Sequence, residues 1–206
     1  MTGSVASGGE IRTIGIVGAI ASGKSTVSKW LSMRGWMLVD ADQEVHRLYG
    51  AGQILVEPVV ARFGTAVLRA DGAIDRAALG REVFADPQKL KDLEAITHPA
   101  AREAIKNRTE TLREAGGKAV LEMALLYRWP EMVSWLDLVV GVFAPDESRI
   151  RRLMDRNHLE EAEARRRAAM QDQELYLSPA QLVIDNSGDL PSLYRNLEEW
   201  LGPVVG

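Results

Sequence analysis

Apolar residues occur along the chain in short continuous runs, and between these runs they return every three or four positions. Short continuous runs are typical of strands buried on both faces, whereas the three-to-four spacing is typical of helices. The predicted strands cover residues 13–17, 36–39, 119–126, 136–143 and 182–184. Because these strands alternate with helices, the pattern predicts an α/β fold with a doubly wound, mostly parallel sheet of five strands.

A long insert separates the second predicted strand from the third. The gap is about 75 residues, far more than one crossover helix requires. Helical patterns within it cover residues 54–63, 76–84 and 87–113, with a turn at Asp71-Gly72 and an interruption at His98-Pro99. We therefore expect a small helical subdomain, at a place in the fold where it would cover an acceptor substrate.

The remaining organisation is simple. We expect one domain over residues 11–206, after a flexible leader rich in Ser and Gly over residues 1–10. Its expected parts are a core at 11–44, 116–144 and 178–206, the helical insert at about 45–115, and an arginine-rich segment at about 145–177. No apolar run approaches the roughly 18 to 20 residues that span a bilayer, and the N-terminus lacks a secretory signal. A cytoplasmic protein without a membrane partner is therefore predicted.

Composition narrows the possible chemistry. The chain has 29 Asp and Glu against 25 Lys and Arg, a net charge of −4, which argues against nucleic-acid binding by bulk electrostatics. It has no Cys and only three His, which excludes thiol catalysis, disulfide scaffolds, zinc ribbons and haem attachment. Hard cations with oxygen ligands, such as Mg²⁺, remain compatible with this composition.

A phosphate-binding motif follows the first predicted strand. Residues 18–25, GAIASGKS, match G-x-x-x-x-G-K-[ST] between a strand and a helix. Glycines let backbone N–H groups approach phosphate oxygens, and the helix that follows presents its positive end. Lys24 would contact the β- and γ-phosphates of ATP, and the Ser25 hydroxyl would contact Mg²⁺. The residues predicted to hold the nucleotide here are Gly18, Ala19, Ile20, Ala21, Ser22, Gly23, Lys24, Ser25 and Thr26.

Other sequence motifs distinguish among the classes of nucleotide-binding protein that share this loop. The guanine-reading [NT]-K-x-D string is absent, and the D-x-x-G string at 185–188 comes too late in the chain to be a GTPase switch. No L-S-G-G-Q signature of a transporter ATPase is present either. A GTPase and a transporter ATPase are therefore disfavoured, and the loop alone does not specify the activity.

A series of strings resembles the bacterial dephospho-CoA kinases, in the order and spacing of that family. These strings are GAIASGKST at 18–26, LVDAD at 38–42 followed by His46, GAIDRAAL at 72–79, VFADP at 83–87, LEAITHP at 93–99, LLY at 125–127 and VIDNSG at 183–188. The resemblance covers about residues 12–200 and implies ATP-dependent phosphorylation of the ribose 3′-hydroxyl of dephospho-CoA, the last step of coenzyme A synthesis. Another small-metabolite or nucleoside or nucleotide kinase, or a nucleotide-binding module without transfer activity, remains an alternative. We expect a monomer, with at most weak oligomerisation.

The resemblance also implies roles for individual residues. Asp42 would orient the attacking hydroxyl, a role that suits a carboxylate at the end of the second strand. Arg152 and Arg156 would belong to a lid that neutralises the transferring phosphoryl group, since guanidinium forks pair well with phosphate. The remaining implied residues are Asn186 and Gly188 near the adenine, and His46, His98 and Leu125 near the acceptor.

Several of these residues also have a purely structural explanation. Asp42 would equally suit the N-cap of a helix that starts at Gln43, and any one lid arginine would suit a solvated helix face. Asn186 and Gly188 are also explained by a loop turn, and His98 by packing. The positions that depart from the family pattern are Ala19 and Ala21, where glycines are usual, Ala124, where Pro is usual, and Glu122, Arg128 and Met170, where Asp, an acid and a lid Gln are usual.

Overall fold

The structure, a computed structural model, describes residues 10–205, so the predicted leader lies almost wholly outside the described residues. The strands are β1 (Thr13–Val17), β2 (Trp36–Asp40), β3 (Lys118–Glu122), β4 (Leu138–Phe143) and β5 (Leu182–Asp185). The helices are α1 (Lys24–Ser32), α2 (Ala41–Leu48), α3 (Val56–Phe63), α4 (Arg76–Phe84), α5 (Pro87–Glu114), α6 (Pro130–Val133), α7 (Asp146–Asn157), α8 (Glu161–Ala169), α9 (Gln173–Leu177), α10 (Leu190–Asn196) and α11 (Gly202–Val205). Short 3₁₀ turns lie at Thr65–Val67 and Leu126–Arg128, and a π-helical turn lies at Leu197–Leu201.

The chain forms two compact units. The sheet unit runs up to Val39 and resumes at Thr109, and the helical unit is Asp40–Arg108. In the sheet the strand order is β2-β3-β1-β4-β5. The pairs β1–β3, β1–β4 and β4–β5 are parallel. This arrangement confirms the predicted α/β fold with five strands in a parallel sheet.

The centre of the sheet is the most apolar part of the molecule. Every residue of β1 is buried, and Ile14 and Ile16 share a core with Trp30 and Leu31 of α1 and with the C-terminal helices. On the opposite face, a Cβ at Gly15 would lie 2.7 Å from Leu136 Cδ1, so that face is also covered closely. Burial on both faces explains why β1 is a continuous run of apolar and β-branched residues rather than an alternating one.

The edge strands depart from the predicted burial. The run at 182–184 was expected to be buried on both faces, but Val183 is 50% exposed. The reason is position, because β5 ends the sheet and has only β4 as a neighbour. Met37 and Leu38 are exposed for the same reason on β2, at the other edge. The predicted third strand was also too long, because the chain leaves the sheet after Glu122.

The helical unit has its own core. Its buried centre includes Tyr49, Leu55, Val59 and Val83, and the Tyr49 hydroxyl lies 3.0 Å from the Thr97 hydroxyl of α5. The predicted turn at Asp71-Gly72 is present, since Leu68 and Ile74 form an antiparallel bridge around it.

The predicted interruption at His98-Pro99 was wrong. Helix α5 continues through Pro99 for 28 residues. A proline inside a helix removes one backbone hydrogen bond and costs about 3 kcal/mol. Here Leu93, Ile96 and Ala100 pack against the apolar core of the helical unit on both sides of the proline, which outweighs that local cost.

Helices α7 and α8 form a hairpin in the arginine-rich segment. Ile150 and Leu153 of α7 pack against Ala164 and Ala168 of α8, and α7 ends at His158, which adopts the left-handed conformation (φ 51°). No helix within residues 10–205 is long and apolar enough to cross a bilayer.

Candidate active site

The phosphate-loop sequence lies at the carboxyl end of β1 and leads directly into α1. Its two motif glycines have backbone conformations that disfavour a side chain, with φ of 146° at Gly18 and 108° at Gly23. A Cβ at Gly18 would lie 2.6 Å from the Val142 carbonyl oxygen, and one at Gly23 would collide with the Asn186 amide. The loop is therefore packed too closely against β4 and the end of β5 for larger residues.

The two alanines that replace family glycines differ in conformation. Ala21 adopts the left-handed conformation (φ 58°), whereas Ala19 is not among the described residues with positive φ. Ala19 is almost fully buried, and the Ala21 methyl packs against the α7–α8 hairpin. A Cβ in the left-handed region costs on the order of 1 kcal/mol, so the substitution strains the loop at Ala21 only.

Side chains from other elements hold the loop carbonyls and one loop amide. Asn186 Nδ2 donates to the Ser22 carbonyl at 2.7 Å. Arg152 Nη1 donates to the carbonyls of Ala21 and Ser22 at 3.3 and 3.2 Å, and Arg152 Nη2 donates to the Asn186 carbonyl at 2.9 Å. The Ile20 N–H donates to Gln171 Oε1 at 2.5 Å. The loop is thus fixed by the lid segment and by the end of β5.

Lys24, the first residue of α1, folds back over the loop. Its Nζ lies 3.0 Å from the Gly18 carbonyl oxygen and 3.1 Å from that of Ala19. These contacts place the ammonium group over the concave side of the loop, where it would meet the oxygens of a bound phosphate chain.

A cavity of about 440 Å³ opens in front of the loop. Its lining residues are Ala21, Gly23, Lys24, Ser25, Thr26, Glu122, Arg152, Asp155 and Arg156. Three cations therefore line it beside two carboxylates, which makes it locally basic on a chain whose net charge is −4. Partial burial lowers the pKa of the Arg152 guanidinium, which nonetheless stays charged at neutral pH. A cavity of this charge suits a polyanion that also carries a cation.

The cavity contains suitable groups for Mg²⁺. Ser25, Thr26 and Glu122 line it, and their side chains carry hard oxygen donors. Within residues 10–205, no group of three or more His, Cys, Asp or Glu residues could hold a metal ion alone. The donor set therefore fits Mg²⁺ that shares its coordination with phosphate oxygens. Glu122, although longer than the usual Asp, lines this cavity.

Six of the seven lid arginines fall into three groups. Arg152 and Arg156 line the cavity. Arg165, Arg166 and Arg167 pair with glutamates on the outer surface of the hairpin, so the solvated alternative holds for them. Arg149 is buried, and its Nη2 donates to Asp146 at 3.0 Å and to the Ala168 carbonyl at 3.1 Å, which ties α7 to the end of α8.

The other predicted site residues are not among those that line this cavity. Asp42 is exposed in the first turn of α2, and the N-cap of that helix is Asp40, whose carboxylate accepts from the Gln43 N–H at 3.1 Å. The alternative that Asp42 caps the helix was therefore wrong. His46 is exposed near the end of α2, and His98 is half-buried in α5. Leu125 is half-buried before the second 3₁₀ turn, and Gly188 is exposed after β5.

Two contributors were missed from the sequence. Gln171 contacts the loop, whereas the family pattern has its lid glutamine one position earlier, where Met170 stands 76% exposed. Asp155 also lines the cavity, together with Arg152 and Arg156 of the same helix. Gln171 was not predicted because it is displaced by one residue from the position that the family pattern gives for the glutamine. Asp155 could have been predicted, because it lies three positions after Arg152 and therefore on the same face of the helix.

Comparison with known proteins agrees with this geometry. Residues 12–192 match the family model described as dephospho-CoA kinase. A dephospho-CoA kinase of Geobacter sulfurreducens is 42% identical over 187 residues, covering 90% of this chain and 95% of that protein. One of Symbiobacterium thermophilum is 45% identical over 193 residues, covering 91% and 79%. A crystal structure of a Thermus thermophilus protein has a TM-score of 0.76 at 35% identity, covering 96% of this chain and 100% of that one. A phosphate loop, a basic cavity and a match along most of its length together assign this chain to the dephospho-CoA kinase family.

Proposed function

We propose that this chain transfers the γ-phosphoryl group of ATP to the ribose 3′-hydroxyl of dephospho-CoA, giving coenzyme A and ADP. The observation that carries the proposal is the basic cavity at the phosphate loop, in a chain that belongs to the dephospho-CoA kinase family. In the reaction a bond forms between O3′ and the γ-phosphorus, the bond from that phosphorus to the β,γ-bridging oxygen breaks, and the hydroxyl proton leaves.

The chain's residues would act mainly by positioning and by charge stabilisation, as phosphoryl transfer requires. The loop N–H groups and Lys24 would hold the β- and γ-phosphates. Arg152 and Arg156, which line the cavity, would stabilise the charge on the transferring group. Mg²⁺, held by Ser25 with support from Glu122, would neutralise charge on the same oxygens.

Asp42 would orient the acceptor. Its carboxylate is exposed because Asp40 already caps α2, and it would accept a hydrogen bond from the 3′-hydroxyl and then its proton. His46, His98 and Leu125 are proposed to contact dephospho-CoA. The adenine of ATP is proposed to lie near Gly188. The cytoplasmic location, the monomeric state and the absence of nucleic-acid partners stay predictions.

A coupled ADP-release assay tests the proposal. Dephospho-CoA is offered beside adenosine, AMP and shikimate, and ATP binding is measured separately. We expect turnover of dephospho-CoA alone. Lys24→Ala should weaken ATP binding and lower turnover about 10²-fold or more, whereas Asp42→Asn should lower turnover similarly and leave ATP affinity intact.

Asp71→Asn is the matched control, since Asp71 is also an exposed acid of the helical unit but occupies a turn. Its activity should equal that of the wild type. Equal turnover of AMP would assign the chain to a nucleotide kinase instead. ATP binding with no turnover of any acceptor would indicate a binding module, and an Asp42→Asn variant at full speed would remove Asp42 from the mechanism.

A further inference from the structure

Asn186 is fixed on several sides at the end of β5. It is 5% exposed, and its backbone N–H donates to the Phe143 carbonyl at 2.8 Å. Its backbone carbonyl accepts from Arg152 at 2.9 Å, and its side-chain amide donates to the Ser22 carbonyl at 2.7 Å. The side chain is thus aimed at the phosphate loop and is not among the residues that line the cavity.

The contact controls one peptide group of the loop. In a planar trans peptide the carbonyl oxygen and the amide hydrogen point in opposite directions. Asn186, which is not a lining residue of the cavity, holds the Ser22 carbonyl, so the N–H of the next residue, Gly23, is directed away from Asn186. Gly23 is a lining residue of the cavity, where a phosphate would lie.

This peptide group needs an external restraint. Gly23 has φ 108° and ψ 17°, and without a Cβ it has no side chain to disfavour rotation of the Ser22–Gly23 peptide. A rotated peptide would present a carbonyl oxygen to the phosphate instead of an N–H. The Asn186 amide lies so close to Gly23 that a Cβ there would collide with it. The restraining hydrogen bond is therefore next to the peptide group that would rotate.

The second donor to the same carbonyl lies farther from it and has another task. Arg152 Nη1 lies 3.2 Å from the Ser22 carbonyl oxygen, and the same Nη1 also lies 3.3 Å from the Ala21 carbonyl oxygen. Arg152 also lines the cavity and is proposed to meet the transferring phosphoryl group. When Arg152 turns toward phosphate, Asn186 remains to hold the carbonyl.

We infer that Asn186 is a positioning residue of the phosphate loop, which sets the orientation of the Gly23 N–H for binding phosphate oxygens. The inference rests on the proposed function, because it assumes that the loop binds the phosphates of ATP. It gives Asn186 a role different from the expected contact with adenine, since the side-chain amide already donates to the loop.

Comparing a ligand that has a nucleobase with one that lacks it distinguishes positioning of the loop from contact with adenine. We would measure ATP affinity directly, and inorganic tripolyphosphate affinity by competition with ATP, for the wild type, Asn186→Ala and Asn186→Leu. Asn186→Leu keeps about the size of the side chain and removes the donor without adding charge. If Asn186 orients the loop, both ligands should bind about 10- to 100-fold more weakly. This is the range expected when the hydrogen bond from the Gly23 N–H to a charged phosphate oxygen is lost. If it contacts adenine, only ATP should weaken, and the inference would be overturned.

Asn196→Ala is the matched control. Asn196 Nδ2 also donates to a backbone carbonyl, that of Asp185 at 2.8 Å, beside the same strand end but without contact to the loop. This variant also removes a side-chain hydrogen bond to the backbone and should keep both affinities. Equal losses of affinity in the two variants would mean a structural role only. If tripolyphosphate does not compete with ATP on the wild type, the loop role in the proposed function and this inference both fail. If it competes but the Asn186 variants bind normally, only the inference fails.

Discussion

At the scale of single residues, the two loop alanines should respond oppositely to the same substitution. Ala21 adopts the left-handed conformation, where a Cβ costs about 1 to 2 kcal/mol, so Ala21→Gly removes strain. Part of the gain is lost through the greater freedom of glycine in the unfolded chain. We expect the free energy of unfolding, measured in urea, to rise by up to about 1 kcal/mol.

Ala19→Gly provides the comparison within the same loop. Ala19 is 1% exposed and has no positive φ, so glycine removes a packed methyl and adds flexibility. The free energy of unfolding should fall by about 1 kcal/mol. A fall of the same size for Ala21→Gly would show that the conformation of Ala21 costs nothing.

The sequence identifies these residues but not their conformations. The motif places glycines at 18 and 23, and both do adopt positive φ. Which of the variable positions also does so depends on how the loop is held from outside, by Gln171, Arg152 and Asn186. Those contacts span more than 120 positions along the chain, so local sequence patterns contain no sign of them.

At the scale of elements, the lid hairpin separates arginines that face the cavity from arginines that face solvent. Arg156 lines the cavity, whereas Arg166 pairs with Glu163 and is 70% exposed. We expect Arg156→Ala to lower kcat about 10²-fold, because a cation at the transferring group is lost. Arg166→Ala should change kcat less than twofold, since exposed ion pairs contribute little.

Steady-state kinetics with both substrates, together with melting curves, check this difference. Both variants should melt within a few degrees of the wild type, because neither arginine is buried. A loss of turnover in Arg166→Ala equal to that in Arg156→Ala would mean that the whole hairpin surface approaches substrate.

Element boundaries show where sequence patterns succeed. Residues 13–17 and 76–84 were predicted as the structure has them, because apolar run length and the Asp75 N-cap mark their ends locally. The break at Pro99 was wrong because the packing of α5 is a tertiary effect. The exposure of Val183 depends on strand order, which the apolar run does not encode.

At the scale of the whole molecule, folding lowers the pKa of carboxyl groups in many places. The groups with a lowered pKa include Glu10, Asp75, Asp92, Asp137, Glu147, Glu163 and Asp189. Most are exposed, so each contributes little. All these pKa shifts are downward, however, and a folded state that holds carboxylates ionised loses stability in acid.

Asp137 provides the clearest test of this acid sensitivity. Burial alone would raise the pKa of its carboxyl group, but hydrogen bonds from the Arg12 N–H and from the N–H and hydroxyl of Thr13 lower it further than burial raises it. These bonds join the start of β1 to the residue before β4, so the stabilisation involves the central strands. It is complete above the pKa of the unfolded chain, about 3.9, and is lost as the pH falls through the lower folded value.

Asp137→Asn should therefore lower the free energy of unfolding by about 1 kcal/mol between pH 5 and 8, since a charge-assisted set of hydrogen bonds becomes neutral. The difference from the wild type should shrink below about pH 4, where Asp137 becomes protonated in the unfolded chain, and should vanish once the pH falls below the lower folded pKa. Urea unfolding at a series of pH values measures both curves, with Glu199→Gln as an exposed control that should follow the wild type throughout. A difference that grows as the pH falls would mean that Asp137 stabilises the sheet in its protonated form, the reverse of what its hydrogen bonds indicate.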